Sequence, residues 1–197
     1  MKNEFWNPAL ADLDIKYYKN FLSKAEALLY FHLLMDNLEW QQHNIKIFGK
    51  ILPQPRLTAL YAETGLAYTY SGLTLQPLPY TKELKAIQQK LEQVTPVRFT
   101  HCLANLYRNG SDSMGLHADD EKELGKNPVI ASVSFGETRK FRLKHKFEKS
   151  LKLDLDLKPG SLLLMQGTTQ HFWKHELPKT ARVKGPRINL TFRQILS

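Results

Sequence analysis

Seven residues near the C-terminal end, Arg187-Ile188-Asn189-Leu190-Thr191-Phe192-Arg193, alternate polar and apolar without a break. That period belongs to a β-strand, whose successive side chains point to opposite faces. Ile188, Leu190 and Phe192 then share one face, and Arg187, Asn189, Thr191 and Arg193 share the other. If the apolar face packs into an outer layer, the polar face lines an interior. Two arginines in an interior are costly unless anions meet them. Six residues of strand span about 20 Å, and long side chains lean toward each other, so the charged tips can bracket a small dicarboxylate. The rival reading is an edge strand with a wet basic face.

The same period recurs upstream. "LKLDLDL" sets Leu151, Leu153, Leu155 and Leu157 against Lys152, Asp154 and Asp156. "VRFTHCLANLYR", "PVIASVSFG", "TRKFRLKHK" and "SLLLMQ" are further strands. They are separated by turn signals, among them Pro159-Gly160 and Asn109-Gly110, the latter read as a hairpin-type turn. Helical spacing is confined to the first half. "SKAEALLYFHLLMDNLEW" opens with Ser23 and Glu26 at capping-box spacing, and "TKELKAIQQKLEQV" aligns Leu84, Ile87 and Leu91. No repeat or Pro/Gly/Ser-rich linker divides the chain. The expected architecture is mainly β within an α+β class: one domain, two helices followed by a barrel or sandwich.

A hydrophobic content of 42% and a charged content of 24% are ordinary for a globular protein. No apolar run approaches the ~18 residues of a membrane span, so no membrane is expected as a partner. "MKNEFWNPALADLD" lacks the apolar stretch of a secretory signal. The single cysteine, Cys102, excludes an internal disulfide and fits a reducing compartment, the cytoplasm or, in a eukaryote, the nucleus. A net charge of +9 favours a polyanionic partner, or else a merely solubilising surface. The basic residues crowd "TRKFRLKHKFEKS", residues 138–150.

"MGLHADDE" holds His117 and Asp119 two positions apart. With 7 histidines in the chain such a pair arises easily by chance, so it needs a third ligand. Two histidines and a carboxylate on one face of a metal are the arrangement of non-haem Fe(II) oxygenases, though zinc suits the same ligands. His145 lies in the lysine-rich "LKHK", which repels a cation. His171 and His175 share strand parity in "TTQHFWKHELPK", and spacing does not choose between them. Asn105 and Tyr107 also share parity, and Tyr107 offers a hydroxyl to a carboxylate.

"NLYRNGSDSMGLHADDE", "PVIASVSFG", "LKPGSLLLMQG" and "WKHELPKT…GPRINLTFRQI" together resemble the AlkB family of Fe(II)/2-oxoglutarate-dependent nucleic-acid dealkylases, most nearly the branch of the second and third human homologues. The resemblance covers roughly residues 45–196. It implies a double-stranded β-helix (jelly roll) with N-terminal helices packed outside, in one domain over 1–197. Residues 1–44 would form a helical extension, and 45–80 the nucleotide-recognition hairpins and lid. The family's distal histidine precedes its first arginine by twelve residues, which implies His117, Asp119 and His175 as iron ligands and leaves His171 a structural or supporting role. By the same matching, Asn105, Tyr107, Arg187, Thr191 and Arg193 hold 2-oxoglutarate.

"IKIFGK" resembles a hairpin that inserts an aromatic residue into the base stack, which implies Phe48 as wedge, flanked by Gly49 and Lys50. An apolar wedge offsets part of the cost of unstacking a nucleotide. "LAYTYSGLT" resembles the lid over a flipped base and places Tyr68 and Tyr70 there. Asp120 and Glu121 would face a base made cationic by methylation. Ala118 stands between the ligands with no side chain long enough to reach a substrate.

The implied reaction is oxidative demethylation of 1-methyladenine- and 3-methylcytosine-type lesions in DNA. It consumes O2 and 2-oxoglutarate and releases formaldehyde, succinate and carbon dioxide. The partner is alkylated DNA, bound by a monomer. The alternatives are an RNA demethylase, a hydroxylase of another substrate, and a non-catalytic, metal-containing jelly roll that binds nucleic acid.

Overall fold

The computed structural model describes residues 4–47, 49–63, 68–70 and 73–196. Along the chain run β1 (Asp14–Tyr18), α1 (Lys24–Asn37), β2 (Asn44–Ile47), β3 (Lys50–Pro53), β4 (Leu57–Ala62), β5 (Tyr68–Tyr70), β6 (Leu73–Leu75), β7 (Leu78–Pro79) and α2 (Lys82–Leu91). Then come β8 (His101–Tyr107), β9 (Met114–His117), β10 (Ile130–Gly136), β11 (Arg139–His145), β12 (Lys152–Leu157), β13 (Leu162–Gln166), α3 (Thr169–Phe172), β14 (Trp173–Leu177) and β15 (Arg187–Arg193). A seven-stranded sheet has the order β1-β13-β10-β15-β8-β4-β7, and a four-stranded sheet the order β12-β11-β14-β9. Two hairpins, β2–β3 and β5–β6, stand outside both.

Parity sets the layering. Ala131, Val133 and Phe135 of β10, Leu162 and Leu164 of β13, and Ile188, Leu190 and Phe192 of β15 all join one buried cluster with Leu34 of α1 and Leu84, Ile87 and Leu91 of α2. Residues of the opposite parity, among them Ile130, Leu163, Met165 and Tyr107, meet Phe141, Leu143, Trp173 and Leu177 of the small sheet. The helices therefore cover one face of the large sheet and the small sheet covers the other, the layering of a jelly roll. Both helices start where their caps direct. Ser23 Oγ accepts from the Glu26 N–H while the Glu26 carboxylate accepts from the Ser23 N–H, and Thr81 caps α2. A Lys90–Glu26 contact of 2.9 Å ties the two helices together.

Three expectations change. The segment 1–44, expected to be a helical extension, also supplies β1, which pairs residue for residue with β13 from Asp14↔Gln166 to Tyr18↔Leu162. "DIKYY" alternates over too few residues to declare a strand by itself. Asn109-Gly110 does not close a hairpin, because β8 lies between β15 and β4 whereas β9 pairs with β14. The chain crosses between sheets there. The Gly110 N–H donates to the Val183 carbonyl at 3.0 Å, and the Thr180 N–H donates to the Gly110 carbonyl at 2.8 Å. Finally, the basic stretch 138–150 is not uniformly outward. Arg139 is buried and donates to the Asn109, Asp112 and Pro178 carbonyls, fastening the crossover. Lys140 and Arg142 pair with Asp154, and Arg142 and Lys144 with Glu176.

A Cβ on Gly110 would lie 2.0 Å from the Thr180 carbonyl oxygen, which is backbone and has little room to retreat. Gly110→Ala is expected to lower the unfolding free energy by ~1–3 kcal/mol, as overpacking does. Urea titration followed by near-UV circular dichroism measures this; an unchanged midpoint would show that the 178–184 loop yields freely.

Candidate active site

The polar faces of the strands that meet between the two sheets build one cleft. In β15, Arg187, Asn189, Thr191 and Arg193 all turn into it, and all four are buried. From β8 come Asn105 and Tyr107, and from β10 comes Ser132. The small sheet contributes His117 at the end of β9 and His175 in β14, which are direct cross-strand partners. Asp119 follows two residues after His117, keeps its parity and closes the group.

Ligand atoms of His117, Asp119 and His175 all lie within 4.8 Å of one another. The imidazoles are 4.3 Å apart between centroids, and His117 Nε2 is 3.8 Å from Asp119 Oδ1. The ring orientations follow from their second contacts. His117 Nδ1 sits 2.8 Å from the Gly115 carbonyl; a carbonyl only accepts, so Nδ1 donates there and Nε2 is the nitrogen turned to the cluster. His175 stacks on Phe141 at 5.2 Å. Burial, with His117 and Arg193 nearby, lowers its pKa to about 3, so the ring is neutral at pH 7. Burial alone would raise the Asp119 pKa, but Arg193, His175 and His117 outweigh it and hold the carboxyl at about 2. Arg193 Nη2 donates to Asp119 Oδ1 at 2.9 Å, and the Asp119 N–H donates to Gln170 Oε1 at 2.9 Å. Carboxylate and backbone are thus both held.

The opposite end of β15 presents a second buried guanidinium. Arg187 Nη2 donates to Ser134 Oγ and Asn189 Oδ1, both at 2.9 Å. Asn189 also accepts from Ser132 Oγ at 2.8 Å and donates to Thr191 Oγ1 at 2.7 Å. The Arg187 guanidinium lies 5.4 Å from the Tyr107 ring, and its buried Nε has no hydrogen-bond partner among the described residues. Burial, with Arg139 adding repulsion, lowers its pKa to about 10. A buried guanidinium with a donor to spare calls for an anion.

Residues 14–193 match the 2OG-Fe(II) oxygenase superfamily. DNA oxidative demethylase ALKBH2 of Mus musculus is 40% identical over 91% of this chain and 79% of its own length. ALKBH2 of Homo sapiens is 41% identical, over 93% and 74%. The chain belongs to the 2OG-Fe(II) oxygenase superfamily and, within it, to the AlkB family. Human alpha-ketoglutarate-dependent dioxygenase alkB homolog 3 is 39% identical over 90% of this chain and 65% of its own length. The solved structure of OsALKBH1 superposes with a TM-score of 0.65, covering 97% of this chain and all of that one; at 17% identity it speaks for the fold alone.

The superfamily's Fe(II), 2-oxoglutarate and O2 are therefore this enzyme's cofactor and cosubstrates. The residues present fit them: two imidazoles and one carboxylate for the metal, and a guanidinium in need of an anion beside it.

Several side chains of this site escaped the sequence reading. Ser132 and Ser134 carry a visible signal, since they alternate with Ala131, Val133 and Phe135. Gln170 and Arg56 carry none: Arg56 is buried from outside the strand pattern and donates through Nε to Asn105 Oδ1 at 2.8 Å. His171 is a surface residue whose ring meets the Lys126 carbonyl and Asn127, so it stands outside the cluster. Asp120, expected beside a base with Glu121, faces outward and pairs with Lys146 at 3.2 Å, because consecutive residues alternate sides. Glu121 turns back inward. One of its carboxylate oxygens is buried without a partner among the described residues, and burial, then Asp119, raises its pKa. Gly49 turns the β2–β3 hairpin with φ 78°, Lys50 is exposed, and Tyr68 and Tyr70 belong to β5; Phe48 lies outside the described residues.

Gln170 holds the backbone of Asp119 and is not itself one of the three clustered side chains. Gln170→Leu is expected to weaken divalent-metal affinity by roughly 10- to 100-fold, the usual cost of losing a supporting contact. Anaerobic titration with Co(II), followed by its visible absorption, measures this; wild-type affinity would strip Gln170 of the role.

Proposed function

We propose that this enzyme repairs DNA by oxidative demethylation of 1-methyladenine- and 3-methylcytosine-type lesions, and that His117, Asp119 and His175 hold its iron. The convergence of those three residues beside Arg187, in one cleft between two sheets, carries the reading. Its relatives named DNA oxidative demethylase support the substrate class. Bound there, iron, O2 and 2-oxoglutarate supply the oxidation: an N-methyl carbon is hydroxylated, its hemiaminal collapses to formaldehyde and free base, and 2-oxoglutarate leaves as succinate and carbon dioxide.

The chain's own groups set the stage for that chemistry. Two histidines and one carboxylate leave open positions on the metal for cosubstrate and gas. Arg187, with Tyr107 across from it, would hold a carboxylate of 2-oxoglutarate, and Asn105 and Thr191 line the same cleft. Arg193 fixes Asp119 and would lend positive charge to a 2-oxoglutarate bound in the cleft. Methylation at adenine N1 or cytosine N3 makes the base cationic, and the inward Glu121 meets that charge. At 4 Å such a pair is worth up to ~4 kcal/mol at an effective dielectric of 20. Phe48, between Ile47 and Gly49, is the wedge; Lys50 steers phosphate, and Tyr68 and Tyr70 cover the flipped base. The enzyme acts as a monomer in the compartment that holds the DNA, the nucleus of a eukaryote or the cytoplasm.

Formaldehyde and succinate should form from a 1-methyladenine oligonucleotide only with Fe(II) and 2-oxoglutarate, and a chelator should stop both. His175→Ala is expected to lower product by more than about 100-fold, beyond the loss of a supporting contact. His171→Ala, a surface change, should stay within about 3-fold. Equal losses would remove His175 from the ligand set; formaldehyde from methylated RNA but not DNA would reassign the substrate.

Phe48→Ala should depress repair of a duplex well below repair of the same strand alone, because only a duplex needs a wedge. Steady-state rates on the two substrates decide it, and equal losses would refute the wedge.

A further inference from the structure

The β11–β12 hairpin ends in "KFEKS", and Phe147 at its tip is 75% exposed, more than any other large hydrophobic side chain among the described residues. The tip is held firmly. The Phe147 and Glu148 N–H groups both donate to His145 Nδ1, at 3.3 and 2.9 Å. The Phe147 ring meets His145 and Phe172 nearly at right angles, at 6.0 and 6.3 Å between centroids. Those contacts orient the ring and leave most of it in water. Nothing about stability requires that, since an exposed aromatic ring on a rigid turn contributes little to a core.

The hairpin also abuts the active site. Lys146 Nζ reaches the Gln170 carbonyl at 2.9 Å and the Asp120 carboxylate at 3.2 Å, and Gln170 holds the backbone of Asp119. The charge around the tip is complementary to a polyanion. Lys152, Lys144 and Lys174 sit directly opposite one another across β12, β11 and β14. Like charges in facing positions destabilise a sheet, and Glu176 meets Lys144. Lys149 and Lys152 remain exposed. A polyanion laid along this row would relieve the repulsion, and an aromatic face beside a basic track is how loose nucleic-acid strands are held.

We propose that Phe147 is a base-stacking platform at the mouth of the active site, taking an unpaired base that neighbours the flipped nucleotide while the Lys152–Lys144–Lys174 row follows its phosphates. The proposal rests on the demethylase reading and extends it to a contact outside the catalytic cleft. Because the ring is already ordered, stacking sacrifices little freedom.

The test uses single-stranded oligonucleotides carrying 1-methyladenine with 2-aminopurine at successive flanking positions. They are bound anaerobically to the Fe(II)- and 2-oxoglutarate-loaded enzyme, so that nothing is consumed. Wild type should quench 2-aminopurine at one flanking position. Phe147→Leu, which keeps apolar bulk against Phe172, should lose that quenching and bind about 5- to 50-fold more weakly, whereas Phe147→Trp should keep both. Replacing Lys152 and Lys174 together by Ser should reduce the salt dependence of binding by about 1.4 in log–log slope. Unchanged quenching and affinity in Phe147→Leu would overturn the platform. If the wild type still released formaldehyde in air, the demethylase reading would stand alone; a wild type that bound no oligonucleotide would sink both.

Discussion

The contact between Arg193 and Asp119 organises the interior. Both groups are almost wholly withdrawn from water, and either alone would be an uncompensated buried charge. Together they put a fixed carboxylate between two sheets, at the point where β9 and β14 present their histidines. The large sheet supplies the arginine and the small sheet supplies the imidazoles, so the site exists only when the two layers close on each other. A buried ion pair of this kind contributes little net stability; its effect here is a carboxylate kept ionised and aimed.

Arg187 is the counterpart at the other end of the same strand. It has no carboxylate of its own, and its hydrogen bonds go to Ser134 and Asn189, which are neutral. The strand therefore carries one arginine paired with a carboxylate of the protein and one bonded to neutral groups. The cleft thus runs from the His117, Asp119 and His175 cluster at one end to the Arg187 guanidinium at the other. Placing both ends on strands rather than loops holds their separation to the spacing of the backbone itself.

The surface around the cleft shows where sequence reading loses its grip. Charge counted along 138–150 suggests a continuous basic band, yet Arg139 turns inward to fasten a crossover, and Lys140, Arg142 and Lys144 find acids on β12 and β14. What remains outward is Lys149 at the hairpin tip, with Lys152 and Lys174 on the flanking strands. Counting charges cannot reveal this, since pairing depends on which strands become neighbours. Asp120 is a similar case: its place in the sequence beside two site residues suggests a role that its outward side, and Lys146, redirect.

Local pattern alone marked β8, β10, β11, β12, β13 and β15, both helices with the cap of the first, and the shared polar face of β15. Each of these follows from side-chain period or from hydrogen bonds a few residues long, which a linear chain displays in full. It also carried the motif by which the family could be recognised. Tertiary structure decided the rest. That His175 rather than His171 joins His117 depends on the β14–β9 register, and that Asn109-Gly110 crosses between layers depends on which partners β8 and β9 find. The edge strand β1, the grip of Gln170 on Asp119 and that of Arg56 on Asn105 join residues far apart in the chain. Such contacts leave no mark on the periodicity of either partner, because their geometry is created only when the layers pack.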